Sequence, residues 1–146
     1  MKIIVVGCGK IGRKITEQLS FEGHDVVVID SNNAVVQDVS DDFDVMGVVG
    51  NGASYSVQME AGIEEANLLI AATDSDEVNL LCCMIAKKAG NCSTIARVRN
   101  PVYSSEIDFI KEELGLAMTI NPEFAAAQEI ARILRFPSSI KIDTFS

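Results

Sequence analysis

Apolar and polar positions along this chain follow two alternating rhythms. Ile3 to Val6 is an unbroken apolar, β-branched run, the pattern of a parallel strand covered on both faces. Ile11, Ile15 and Leu19 then recur at helical spacing, with Lys10, Arg13, Lys14 and Glu17 between them. Gly23 ends that helix, and DVVVID forms a second buried strand closing on Asp30. Ser31 or Asn32 can cap a helix running to about Ser40. VMGVV reads as a third strand, followed by the loop Gly50-Asn51-Gly52-Ala53-Ser54 and a short helix through Val57, Met59 and Ala61.

The rhythm repeats in the second half. ANLLIAAT, residues 66–73, is a fourth strand. Asp74 or Ser75 caps a longer helix whose apolar face is predicted to be Val78, Leu81, Ile85 and Ala89. TIARVR, residues 94–99, is a fifth strand, broken by Pro101. SSEIDFIKEELG reads as an amphipathic helix stopped at Gly115, LAMTI as a weak sixth strand, and EFAAAQEIARILRF as a final helix. This β-α alternation predicts an α/β fold: a doubly wound parallel sheet of about six strands, helices on both faces, joined by right-handed crossovers.

Composition narrows the class. The 146 residues are 48% apolar with three prolines, as expected of one packed domain. No apolar run approaches the roughly 20 residues needed to span a bilayer, and no secretory leader is expected. A net charge of −9 repels phosphate backbones over most of the surface, which argues against nucleic acid as a partner. Cys8, Cys82, Cys83 and Cys92 have no CxxC spacing, so they read as small buried thiols in a reducing cytoplasm, not zinc or disulfide ligands.

Candidate chemistry centres on Gly7, Gly9 and Gly12, which follow the first strand and open the first helix. In such a turn the first glycine permits the bend, the second admits a pyrophosphate, and the third lets helix and strand pack closely. Free N–H groups and the positive end of the helix dipole then hold phosphate. Asp30 lies 18 residues past Gly12, where a carboxylate can accept bonds from both ribose hydroxyls and repel a 2′-phosphate. That favours NAD(H) over NADP(H); the alternative is that Asp30 only caps the following helix. Ligands of these sheets sit beyond the carboxyl ends of the strands, so three more loops matter. They are residues 50–54, whose small side chains suit close approach of an adenosine; Thr73-Asp74; and Arg97 with Arg99. Asp76 and Glu77 read either as part of that set or as charges complementing a helix N-terminus.

In their order and spacing, GCGKIG, VVVID, VVGNGAS, LLIAATDSDEVN and IARVR resemble the KTN or RCK nucleotide-binding regulatory domain of potassium transporters and channels. The likeness is greatest to the regulatory subunits of Trk-type potassium uptake systems and covers residues 1–136; residues 137–146 read as the start of a linker or following domain. It implies a Rossmann-like fold, NAD(H) or alternatively ATP or ADP as ligand, and control of an integral-membrane potassium transporter from the cytoplasmic side. The glycine loop of that family falls on Gly7, Cys8, Gly9, Lys10, Ile11 and Gly12, its ribose acid on Asp30 beside Ser31, and its third-loop residues on Asn51, Gly52 and Ala53. Thr73, Asp74 and Arg97 complete the implied cofactor set. Many members carry aspartate where this chain has Asn51. They also continue into further domains, so the chain reads as an N-terminal portion.

A nicotinamide-dependent dehydrogenase fragment is the competing class. Hydride transfer requires an acid or base beside the nicotinamide. His24 precedes the second strand and belongs at the opposite sheet edge, and neither tyrosine begins a Tyr-x-x-x-Lys pair. No catalytic or metal-ligating residue is therefore expected, and the domain reads as a non-enzyme. In the final helix, Phe124, Ala127, Ala131 and Leu134 form one apolar stripe and Ile130, Ile133 and Phe136 a second. One sheet face cannot cover both, which predicts a homodimer through that helix and allows a tetramer.

Overall fold

The computed structural model describes residues 1–90, 92–106, 109 and 118–120. The strands are β1 (Lys2–Val6), β2 (Asp25–Asp30), β3 (Met46–Val49), β4 (Leu68–Ala71), β5 (Ser93–Arg97) and β6 (Met118–Ile120). The helices are α1 (Lys10–Phe21), α2 (Asn33–Phe43), α3 (Tyr55–Glu60), α4 (Asp76–Gly90) and α5 (Pro101–Ser105). All strand pairs are parallel and the order across the sheet is β3-β2-β1-β4-β5-β6. The chain starts in the middle, winds outward to β3, then crosses back to β4 and winds the other way. Reversal of direction leaves a crevice between β1 and β4 at their carboxyl ends.

Two apolar layers sandwich this sheet, which is why successive residues Ile3–Val6, Val26–Ile29 and Leu68–Ala71 of its central strands are all apolar. Ile3 and Val5 of β1 face a cluster with Ile15 and Leu19 of α1 and Val36 and Val39 of α2. Ile4 and Val6 face the other cluster, with Ile63, Leu80, Cys83 and Ala86. Each of the Val, Leu and Ile side chains among them, fully buried, contributes about 1.5–3 kcal/mol of transfer free energy. The edge strand β3 is different: Met46 and Val49 stay exposed, and only Val48 is buried.

Three elements depart from the sequence expectation. Helix α2 continues past Ser40 because Phe43 packs against the first cluster; Asp44, at φ 53°, ends it. The inward face of α4 is only in part the Val78, Leu81, Ile85, Ala89 stripe, of which Val78 and Ala89 pack on the second cluster. Asp76, Asn79, Leu80, Cys83 and Ala86 turn inward, while Leu81 is exposed. The face is rotated because Asp76 and Asn79 find hydrogen-bond partners inside, as described below. Ser104 and Ser105, expected to open a helix over 104–115, instead close a short separate helix, α5, which starts at Pro101, is capped by the Asn100 side chain accepting from the Val102 N–H, and ends at Glu106. Most of the expected stretch, its stop at Gly115, residues 123–136 expected to form the final helix and residues 137–146 lie outside the described residues.

Candidate functional site

The carboxyl ends of β1 to β4 open on a cleft of about 500 Å³. Its floor is the start of the glycine loop. Gly7 has φ +102°, and a Cβ there would sit 2.9 Å from the Ala72 backbone, so β1 and the end of β4 close on each other only with glycine. A Cβ on Gly12 would come within 1.8 Å of the Gly7 carbonyl oxygen, which fixes how tightly α1 folds back onto the turn. At Gly9 a Cβ would meet nothing within 4 Å, and Gly9 lines the cleft. Packing therefore explains Gly7 and Gly12, but not Gly9; its missing side chain leaves room for a ligand at the start of α1.

Asp30 forms the second wall. Its Oδ2 accepts from the Cys8 N–H at 2.8 Å and its Oδ1 from the Asn32 N–H at 2.9 Å. The carboxylate thus ties the glycine loop to the β2–α2 turn, and each oxygen retains acceptor capacity toward the cleft. The cap of α2 is Asn32, whose side chain accepts from Val35 N–H. Ser31 lines the same wall. Cys8 donates its amide to Asp30 but buries its thiol. Burial, reinforced by the Asp30 charge, pushes that thiol up to about 12.

The third wall is the loop after β3. Asn51 is exposed and its Oδ1 accepts from the Ala53 N–H at 2.9 Å, shaping a turn. Gly52 borders the cleft, yet packing is what requires glycine there: a Cβ would lie 2.3 Å from Val6 Cγ1. Ala53 is partly buried against the second cluster and does not border the cleft. Beneath this loop Gln58 has no exposed surface and donates from Nε2 to the carbonyls of Gly52 (2.8 Å) and Cys82 (3.0 Å).

Thr73, Asp74 and Ser75 make the fourth wall. The Thr73 hydroxyl donates to Asn79 Oδ1 at 2.7 Å and accepts from the Ser75 N–H at 3.2 Å, so it serves the loop itself. Ser75 caps α4 through Val78 N–H. Arg97, expected beside the ligand, does not border the cleft. Its buried guanidinium donates from Nη1 to the Thr73 carbonyl at 3.0 Å and pairs with Asp74 at 3.3 Å. Arg97 Nε is buried without a hydrogen-bond partner. Asp74 is almost fully exposed, so this ion pair is screened and weak.

Of the residues singled out in the sequence, Gly7, Gly9, Asp30, Ser31, Asn51, Gly52, Thr73 and Asp74 meet at one cleft. Gly12, Cys8 and Arg97 stand behind it as supports; Lys10 is exposed at the start of α1 and Ile11 packs on the first cluster. Asp76 and Glu77 turn away from the cleft. Asp76 accepts from Arg99 and Asn100 N–H groups, and Glu77 accepts from the Tyr103 hydroxyl, a bond that holds its carboxyl below the usual range. Sequence reasoning missed Asn79 and Gln58. Asn79 had a signal, an amide on a helix at spacings of three and four from Asp76 and Cys83; Gln58 had none.

A glycine turn, an acid at the end of the second strand and a cleft at the switch point define a Rossmann-type domain, the class whose ligands lie at this end of the sheet. The family model of the TrkA-N domain matches residues 3–122, and the chain belongs to that family. It is 37% identical over its whole length to a Trk system potassium uptake protein TrkA homolog of Archaeoglobus fulgidus, spanning 33% of that protein. It therefore covers about a third of the curated relatives it matches. Among solved structures, the TrkA-N domain of the inner membrane protein YbaL from Escherichia coli superposes with a TM-score of 0.73 at 25% identity, covering 93% of this chain and 95% of that one. The GsuK channel bound to NAD matches with a TM-score of 0.68 at 21% identity, covering 81% of this chain and 21% of that one, a likeness of fold.

Proposed function

We propose that this chain is the nucleotide-sensing domain of a regulatory subunit of a Trk-type potassium uptake system, with NAD(H) as its ligand and ATP or ADP as the alternative. The observation that carries the reading is Asp30: a carboxylate anchored by the Cys8 N–H, with acceptor capacity toward the cleft, in a chain of the TrkA-N family. Gly9 leaves the space a pyrophosphate requires, and the start of α1 offers N–H groups and a positive dipole end to it. Asp30 would hold the adenosine ribose, and loop 50–54 would pass along the adenine. When bound, the nucleotide supplies charge and contact area that bridge the four walls.

The domain acts as a switch and not as a catalyst. Among the cleft-lining residues the ionisable side chains are Asp30, held by the Cys8 and Asn32 N–H groups, and Asp74, an exposed carboxylate at the rim. His24 lies at the far end of the sheet, beside Met1 N at 3.3 Å. No helix among the described residues is long and apolar enough to cross a membrane, which fits a domain on the cytoplasmic face that acts through a membrane partner. A homodimer through residues 123–136 rests on the two apolar stripes that their sequence gives to the helix expected there.

The test is potassium uptake by cells carrying the full-length protein that contains this chain and its transporter. Asp30→Ala should abolish the response of uptake to nucleotide while leaving the protein assembled on its partner. Uptake that still responds normally would overturn the reading.

A further inference from the structure

The first turn of α4 does more than begin a helix. Asn79 has no exposed surface and makes four hydrogen bonds. Its Oδ1 accepts from the N–H and the hydroxyl of Thr73, at 2.9 and 2.7 Å. Its Nδ2 donates to the carbonyls of Thr73 (3.1 Å) and Arg97 (2.9 Å). One amide therefore holds both polar groups of the Thr73 peptide, on the rim of the cleft, and fixes the last residue of β5 to them. Three residues earlier the buried Asp76 accepts from the Arg99 N–H through both oxygens at 3.1 Å and from the Asn100 N–H at 2.7 Å. Neither residue borders the cleft.

An acid at a helix start ordinarily complements the dipole and stays in water. Asp76 does otherwise: its acceptors turn toward the segment leaving β5. An apolar side chain of similar size would fill the space but leave the Thr73 N–H and hydroxyl and the Arg97 carbonyl without this partner, so the buried amide is accounted for by what it joins. Every group in the chain from Thr73 through Asn79 to Arg97 is buried or part-buried, and leaving any of them unpaired is unfavourable. Such a link transmits a displacement where a loose contact would absorb it.

We propose that Asn79 and Asp76 are positioning residues that couple occupancy of the cleft, felt at Thr73, to the β5–α5 junction at residues 97–103. The coupling runs along one rigid element whose two sides touch the nucleotide wall and the junction. This inference rests on the nucleotide-binding reading above.

Amide hydrogen exchange on the 146-residue chain, with and without saturating NADH, tests it. In the wild type NADH should slow exchange at Gly7–Gly12 and Thr73, and also at Arg99 and Asn100, by about 5-fold or more. In Asn79→Ala and in Asp76→Ala, NADH should still protect Gly7–Gly12, while the NADH-dependent change at Arg99 and Asn100 should shrink to less than about 2-fold. A purely structural role would lower the urea midpoint and raise exchange in both states without altering that ratio. If Asn79→Ala fails to fold, Asp76→Ala, near the helix end, decides alone. An unaltered ratio in the folded variants, or a wild type that binds NADH with no change at 99–100, overturns the coupling. A wild type that shows no NADH response anywhere overturns the nucleotide reading and the coupling with it.

Discussion

The amide of Cys8 donates to Oδ2 of Asp30 at 2.8 Å, joining the glycine loop after β1 to the carboxyl end of β2. This bond makes one side chain responsible for the shape of the turn and, in the proposed function, for the acceptors offered to a ribose. Asp30→Asn keeps a carbonyl that can accept the Cys8 N–H but loses charge and one acceptor. Its folding stability should therefore stay within about 1 kcal/mol of wild type, whereas Asp30→Ala, which orphans the Cys8 and Asn32 amides, should lose about 1–3 kcal/mol. Urea unfolding of both variants measures the difference. Equal stability for Asp30→Ala and wild type would mean that the loop holds its shape without this carboxylate.

The second and third glycines of the turn predict opposite phenotypes for the same substitution. Gly12→Ala drives a methyl into the Gly7 carbonyl and should destabilise the fold by about 1–3 kcal/mol or more, visible as a lower melting temperature. Gly9→Ala places its methyl in open space at the cleft, so melting should be near wild type while NADH affinity falls about 10-fold or more. A Gly9→Ala protein with unchanged affinity would remove phosphate from this part of the cleft.

The cysteines predict an alkaline limit on stability. Burial pushes the Cys8 and Cys82 thiols up to about 12 from an ordinary value of 9.0. Between those values the folded state holds protons that the unfolded state has lost, so the stability present below pH 9 declines as pH rises toward 12. Each thiol contributes at most about 1.4 kcal/mol per pH unit. Cys8→Ala should show a shallower decline in unfolding free energy over that window. An identical slope would mean that the thiol ionises equally in both states.

The two apolar stripes that the sequence places on the helix expected over residues 123–136 predict an oligomer. Replacing Ile130 and Ile133 with Asp should give a monomer by sedimentation that binds NADH as the parent does. A double variant that sediments as a dimer would place the interface elsewhere.

How much of this was legible beforehand depended on whether a residue answered to a local rule. Strands β1, β2 and β4 announced themselves because burial on both faces forces unbroken apolar runs. The glycine turn and Asp30 were legible because their spacing is set by one strand–helix–strand unit. The inward face of α4 was not, since hydrophobic periodicity cannot anticipate that Asp76 and Asn79 are drawn inside by partners on β5 and the loop beyond it. The place of Arg97 was hidden for the same reason: its position at a strand end pointed to the ligand, whereas its guanidinium bonds the Thr73 carbonyl behind the cleft wall. Gly52 looked like a ligand contact and is required first by Val6.

The central claim is that the cleft binds a dinucleotide through Asp30, and calorimetric titration tests it most directly. Wild type should bind NADH more tightly than NADPH, because the Asp30 carboxylate accepts from ribose hydroxyls and repels a 2′-phosphate. Asp30→Ala should weaken NADH binding by about 1.5–3 kcal/mol, the range for hydrogen bonds to a charged group, and narrow the gap between the two nucleotides. Equal NADH affinity in the two proteins, with NADPH bound as tightly as NADH, would contradict the account.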